Sequence, residues 1–487
     1  MLATWHGNKT IGSSGRNVLI YVQCYITMDI KNMLQNISPK KKKLLLILGG
    51  VLLFLILVLV IVLLTGGSPD NNDNPDEPNG DGSDEVITGT VNLDYWGLWE
   101  PDSIMEPTIQ AYEASHPGVT IEYSQQRFTQ YEGRLYTRLT QAATSEEPAP
   151  DIFRINNTWT PKLYKFLTPL PQSVMDRQTY SETFYPTTLT DFTAKDGNIY
   201  ALPWEIDGLA VFYNKQLLND AGYSEPPLDW DSFVEFAREL TVKNSSGQIT
   251  TSGLAIGTSN NIIHSADILS YMMLLNKADL IDSTYTKVNL TSPEALSAVQ
   301  TYTAYSQGSN AIWTTDLRNE LEMFFSGRLA MMFAPSWRAF DIIEAAPSIE
   351  FGIAPLPQLT NNDPVYYSMY WGDAVSSTCE HPEVAWDFIK YLVDNQQEIF
   401  SASSQIRAFG EPYSFVSLNG EMANNPYLEA YSVMAPYMKS WGMGDQGYVE
   451  QKLNEGISEI IEYDADADDV MRNIEVDIND QLAQTNN

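Results

Sequence analysis

The sequence predicts an α/β protein of two lobes, preceded by one transmembrane helix. Three observations carry this. Short apolar runs alternate with amphipathic stretches between Val91 and Leu392, the signature of helices layered on mostly parallel sheets. The roughly 400 residues involved exceed what a single hydrophobic core usually holds. An unbroken apolar run, Leu44 to Leu64, stands in front of all of it.

That run contains only Leu, Ile, Val, Phe and two glycines, directly after Lys40-Lys41-Lys42-Lys43. As a helix it reaches about 31 Å, enough for a bilayer core of about 30 Å. The lysines flank only its N-terminal side, so residues 1–43 are expected in the cytoplasm and the C-terminal part outside. A cleaved signal peptide is the competing reading. The run is longer than an ordinary signal core, and Leu63-Leu64-Thr65-Gly66-Gly67 is a poor cleavage site, so a retained anchor is expected. Between Ser68 and Glu85 come seven acids in eighteen residues and no apolar side chain except proline. Such a segment cannot bury a core and is expected to act as a flexible, self-repelling linker over 65–85.

Beyond it, Val91, Leu93 and Tyr95 alternate with polar residues and read as a strand ending at Trp96-Gly97-Leu98-Trp99. A helix follows and stops at His116-Pro117-Gly118. Val119 to Tyr123 and Pro150 to Ile155 read as the next strands. After the Lys195-Asp196-Gly197-Asn198 turn, Leu209 to Tyr213 is apolar enough for a buried strand. Asp229 precedes Trp230, Phe233, Val234, Ala237 and Leu240 at helical spacing, as an N-cap should. Ser292-Pro293 places a cap and an N1 proline before another helix. Leu317, Leu321, Phe324 and Phe325 line a helix face ending at Ser326-Gly327. Leu329 to Phe333 is a strand, and Pro382 opens a helix with Ala385, Phe388, Ile389 and Leu392 on one face.

Charge and composition exclude several function classes. The chain has 487 residues, with 62 acidic against 28 basic. Seven of the basic groups and one acid fall in residues 1–67, leaving the other 420 residues with a net charge of −40. Nucleic acid and anionic membrane surfaces both need clustered cations and are excluded as partners of that part. Two cysteines, Cys24 and Cys379, lie on opposite sides of the apolar run, and four histidines are scattered, so no disulfide framework, metal site or cofactor is expected. The nucleophile-elbow, zinc-protease, phosphate-loop and dinucleotide motifs are absent from the sequence. Asp464, Asp466, Asp468 and Glu475 match four positions of a calcium loop, but Asp469 replaces its glycine and the apolar spacing suits a helix with an acidic first turn.

Glu205 and Asp207, two apart in Pro203-Trp204-Glu205-Ile206-Asp207-Gly208, would share one face of a strand. Glycosidic cleavage needs carboxylates on opposite sides of the bond, so this spacing suits hydrogen bonding to hydroxyls better; a solvated turn is the plainer alternative. Tryptophans recur beside turn signals, at Trp96, Trp99, Trp159, Trp204, Trp337, Trp371 and Trp441. Tryptophan is most often core. Several of these nevertheless follow strand ends with polar neighbours, where open α/β sheets bind ligands, and flat aromatic faces among acids suit a polyhydroxylated ring.

The order of motifs resembles the extracellular solute-binding proteins of carbohydrate ABC transporters, the family that includes maltose-binding protein. Matching segments run through most of 86–487: His116-Pro117-Gly118-Val119, Pro150-Asp151-Ile152, Asp196-Gly197-Asn198-Ile199-Tyr200-Ala201-Leu202-Pro203, Phe212-Tyr213-Asn214-Lys215, Asp229-Trp230-Asp231-Ser232-Phe233, Phe325-Ser326-Gly327-Arg328-Leu329, Ala334-Pro335-Ser336-Trp337, Ile353-Ala354-Pro355-Leu356-Pro357 and His381-Pro382-Glu383. The resemblance implies a periplasmic-binding-protein-like fold with a hinge and a ligand cleft. Lobe 1 would comprise 86–206 and 353–397, lobe 2 207–352 and 398–487. It implies no enzyme but a monomer that captures an oligosaccharide and delivers it to an importer permease, held on the cell surface by Leu44 to Leu64 in place of the family's usual lipidated cysteine. Asp207 would bind a sugar hydroxyl at the first crossing between lobes, and Trp337 and Trp441 would stack on the sugar. Trp99 and Glu100 after the first strand, the Asn157-Thr158-Trp159 turn, Glu205 and the Trp371-Gly372-Asp373 loop complete the expected site. A glycoside hydrolase or a ligand-sensing module of a signalling receptor are the alternatives.

Overall fold

In the computed structural model, residues 90–141, 148–360 and 362–486 are described. The expected anchor and acidic linker lie outside them, and among the described residues no helix is long and apolar enough to cross a membrane.

The chain builds two sheets in turn. In the first, β1 (Val91–Gly97) runs parallel to β2 (Val119–Gln125) on one side and to β3 (Ile152–Asn156) on the other. The short β4 (Leu167–Thr168) and β5 (Leu202–Pro203) come next in the chain and join this sheet later. β1 forms because Val91, Leu93 and Tyr95 point inward while Asn92 stays in water. The helix Asp102–Ser115 closes the β1–β2 crossover, burying Ile104, Met105, Ile109 and Tyr112.

The second sheet follows. It contains β6 (Ala210–Asn214), β7 (Val242–Lys243), β8 (Ile249–Leu254), β9 (Leu329–Ala334) and β10 (Phe351–Ala354), in the order β10-β6-β9-β8-β7. β6 and β9 are buried along their whole length, as their unbroken apolar sequences require. Its helices begin where the sequence predicts. Asp229 accepts a hydrogen bond from the Ser232 amide at 3.0 Å, and Ser292 accepts one from Ala295 at 3.2 Å. The helix Glu320–Phe325 starts after Leu317, which packs on the core from the preceding turn.

The chain then crosses back. β11 (Tyr366–Tyr367) lies between the sheets, and β12 (Trp371–Ser376) enters the first sheet antiparallel to β3, β4 and β5. Both sheets are therefore mixed rather than mostly parallel. In the second only β8 and β9 run parallel, because β6 and β10 enter and leave it as antiparallel neighbours. Trp371-Gly372-Asp373, expected as a loop, is the start of β12. The second sheet extends to Ala354, past the expected boundary at 352/353.

Three segments meet at the crossing. β11 pairs in parallel with β13 (Met438–Lys439), and Gly208 bridges Ser368. The Met369 amide donates to the Asp207 carbonyl at 3.0 Å, and the Ser368 amide to the Lys439 carbonyl at 2.9 Å. Gly208 is required here: a Cβ on it would lie 2.0 Å from the Tyr367 carbonyl oxygen. At the C-terminus, Gln446–Tyr463 and Ala467–Asn486 form a helical hairpin. Asp464 ends the first helix in the left-handed region, and Asp466 caps the amides of Asp468 and Asp469. Glu475 accepts from the amides of Leu290 and Thr291, so the acids of the calcium-like pattern serve helix ends and packing.

Candidate functional site

A cavity of about 980 Å³ opens between the two sheets, beside the crossing segments. Its wall on the first sheet is aromatic. Trp99, just past β1, lies 5.1 Å from Phe128 and 6.0 Å from Trp371, edge-on to the latter. Trp371 packs its edge on Trp159 at 5.2 Å, and Trp159 stacks on Tyr131 at 6.3 Å. The Trp159 indole is fixed by donating from Nε1 to Gln446 at 3.2 Å. Strand ends place these rings: β1, β3 and β12 finish or begin at the cavity rim, and the helix Tyr131–Gln141 closes its side.

The facing wall is set by the turn after β9. Trp337 leaves 41% of its surface exposed, with the Arg338 guanidinium 4.3 Å from its ring and Phe340 and Asp341 beside it on the lining. Asp207 holds this turn. Its carboxylate accepts from the Ser336 amide at 3.1 Å, the Ser336 hydroxyl at 2.8 Å and the Gly208 amide at 2.7 Å. The first crossing segment is thereby tied to the tryptophan turn.

Carboxyl groups dominate the polar lining, which includes Glu132, Glu205, Asp207, Asp341, Glu411 and Glu450. Three have cationic partners: Lys162 for Glu132 at 3.0 Å, Arg338 for Asp341, and Arg407 for Glu411. Burial, then the Glu411 and Asp207 carboxyls, holds Glu205 well above the usual carboxylate range. Burial pushes Asp207 up to about 7, against the hydrogen bonds from Ser336 and Gly208 that favour its ionised form. Burial, then Asp267, pushes Glu450 up to about 8. Neutral carboxyls both donate and accept hydrogen bonds, so this lining can satisfy a ligand rich in hydroxyls. Among the described residues, no group of three or more His, Cys, Asp or Glu could hold a metal ion.

Of the residues expected at the site, Trp99, Trp159, Glu205, Asp207, Trp337 and Trp371 line the cavity together. The structure places the other four behind its walls. Glu100 and Asp373 are fully buried against Arg154, at 2.7 and 3.2 Å, with the Trp204 ring 4.2 Å from the guanidinium. Asn157 donates to Asp191 and accepts from the Tyr370 amide. Trp441 is buried and donates to Ser270 at 3.2 Å. The sequence reading missed Phe128, Tyr131, Arg134, Glu411 and the helix positions Gln446 and Glu450. An acid and an amide four residues apart on one helix were the available signal for the last two, but that spacing is common on solvated faces.

Comparison with known proteins agrees with this architecture. A diacetylchitobiose-binding protein of Streptomyces coelicolor is 24% identical over 333 residues, 67% of this chain and 74% of its own length. A maltotriose-binding protein of Pyrococcus abyssi is 22% identical over 394 residues, 76% and 79% of the two chains. The solved sugar-binding protein of Xanthomonas citri superposes with a TM-score of 0.65 at 17% identity, over 81% of this chain and 98% of that one. A substrate-binding protein of Listeria monocytogenes, solved with cycloalternan, superposes at 0.61 and 19% identity, over 81% and 99%. These likenesses establish the two-lobed, periplasmic-binding-protein-like fold. The model of the bacterial extracellular solute-binding proteins matches residues 98–399. The chain belongs to that family, and is a binding protein rather than an enzyme.

Proposed function

We propose that this protein captures an oligosaccharide in the cavity between its lobes and delivers it to an ABC importer from the outer face of the cell membrane. The observation that carries the ligand class is the aromatic wall of Trp99, Phe128, Trp159 and Trp371, facing Trp337 across a lining rich in carboxyl groups. Indole faces suit the apolar faces of sugar rings, and the carboxyls suit the hydroxyls at ring edges. A volume of about 980 Å³ has room for more than one ring. Relatives named for diacetylchitobiose and maltotriose support the same class. Calorimetric titration with a panel of oligosaccharides tests it: one sugar should bind per chain and be recovered intact. Binding of amino acids or polyamines, with no sugar bound, would contradict it.

Leu44 to Leu64, behind four lysines, supports a retained single span with residues 86–487 extracellular and 65–85 as spacer. The protein should stay with membranes through a carbonate wash. A mature N-terminus near Gly66, found by mass spectrometry, would show a cleaved signal instead.

A further inference from the structure

Resting on the carbohydrate reading, we propose that the cavity prefers sugars bearing a protonated amine, with Glu205 and Glu450 as the carboxyls that receive the ammonium. The cavity and its aromatic walls define the site; the pairing of its charges decides what charge the ligand should bring. Glu132, Asp341 and Glu411 are matched by Lys162, Arg338 and Arg407. Asp207 spends its oxygens on Ser336 and Gly208. Glu205 and Glu450 remain, and among the described residues neither has a lysine, arginine or histidine at ion-pair distance. Glu205 is 5% exposed, on the crossing segment; Glu450 lies on the helix Gln446–Tyr463, where the Gln446 side chain donates to it at 2.6 Å.

The arginines on the lining are already engaged. Arg407 pairs with Glu411 and lies 5.0 Å from the Phe340 ring, and Arg134 lies over Trp96 at 4.4 Å and donates to Gln126. Glu205 faces Glu411, with which it shares a side-chain hydrogen bond, then Asp207 and Glu100, and Arg407 lies in its field; Glu450 faces Asp267 and Glu132. A buried carboxyl among like charges stays protonated, because an unpaired buried charge is costly. A ligand ammonium supplies the missing partner, and the carboxyl ionises and gives its proton to solvent. Trp99 and Trp371, whose indoles keep exposed surface, add cation–π attraction for the same ligand. A neutral sugar gains neither.

The probes are the β1,4-linked glucosamine disaccharide, its N,N′-diacetyl form and cellobiose, which differ at the C2 substituents. Calorimetry on the full chain at pH 6, in two buffers of different ionisation enthalpy, reads affinity and protons together. The amine form should bind at least about tenfold more tightly than either neutral form, releasing about one proton for each carboxyl that pairs with an ammonium, about two when Glu205 and Glu450 both do. Glu205→Gln and Glu450→Gln, each checked by its melting curve, should bring that ratio towards one. A tie, a preference for a neutral form, or no binding of the amine form overturns the proposal. The carbohydrate reading fails separately, and only if no sugar of the wider panel binds.

Discussion

Trp337 keeps 41% of its surface in solvent although it belongs to the second lobe's sheet-end turn, where a purely structural indole would be buried. Truncating an aromatic anchor at a binding surface commonly costs about 2 kcal/mol or more, roughly thirtyfold in affinity. Trp337→Ala should therefore weaken oligosaccharide binding by that order while barely moving the ligand-free melting temperature. A lowered melting temperature with unchanged affinity would assign the ring to the core. Residue type and turn position made this tryptophan legible in the sequence, together with Trp99, Trp159 and Trp371. They did not reveal depth. Asp373 stands two residues after Trp371 on the same face of β12, but its register partner is Arg154, which takes its carboxylate inside the lobe. Glu100 follows Trp99 directly and turns inward to the same guanidinium. Buried cations of this kind carry no local signal, so two acids beside good aromatic positions read as site residues.

At the scale of elements, the sequence was most legible where local chemistry fixes an end. The caps at Asp229 and Ser292, and the apolar runs of β6 and β9, all lie where their patterns put them. Strand direction was less legible, since an apolar run looks the same parallel or antiparallel, and β12 returns to the first sheet from far along the chain. The crossing segment carries a testable consequence. Folding raises the Asp207 carboxyl to about 7, from about 3.9 for an unfolded aspartate. Its stabilising share is therefore complete below about pH 3.9 and is lost as pH rises through about 7. Glu205 and Glu450 act with the same sign. Asp207→Asn keeps an acceptor oxygen for the Gly208 and Ser336 amides and carries no charge. Its melting temperature relative to wild type should be higher at pH 8 than at pH 5. An equal difference at both values would mean that Asp207 does not ionise at the cost of stability.

The whole molecule places an aromatic wall from one lobe opposite a tryptophan turn from the other, with the crossing segments between them. A ligand touching both walls stabilises the arrangement in which both can reach it. The two-lobe division followed from chain length, which exceeds what one core holds, but the cavity did not, because its lining comes from segments more than three hundred residues apart, from Trp99 to Glu450. Whether this cavity holds an oligosaccharide without transforming it is decided by calorimetric titration of the full chain with neutral oligosaccharides, followed by recovery of the sugar. One intact sugar bound per chain, with the affinity lost in a Trp337→Ala and Trp371→Ala double variant that still melts cooperatively, is the predicted result. Shortened sugars in the recovered pool, or undiminished affinity in the double variant, would contradict it.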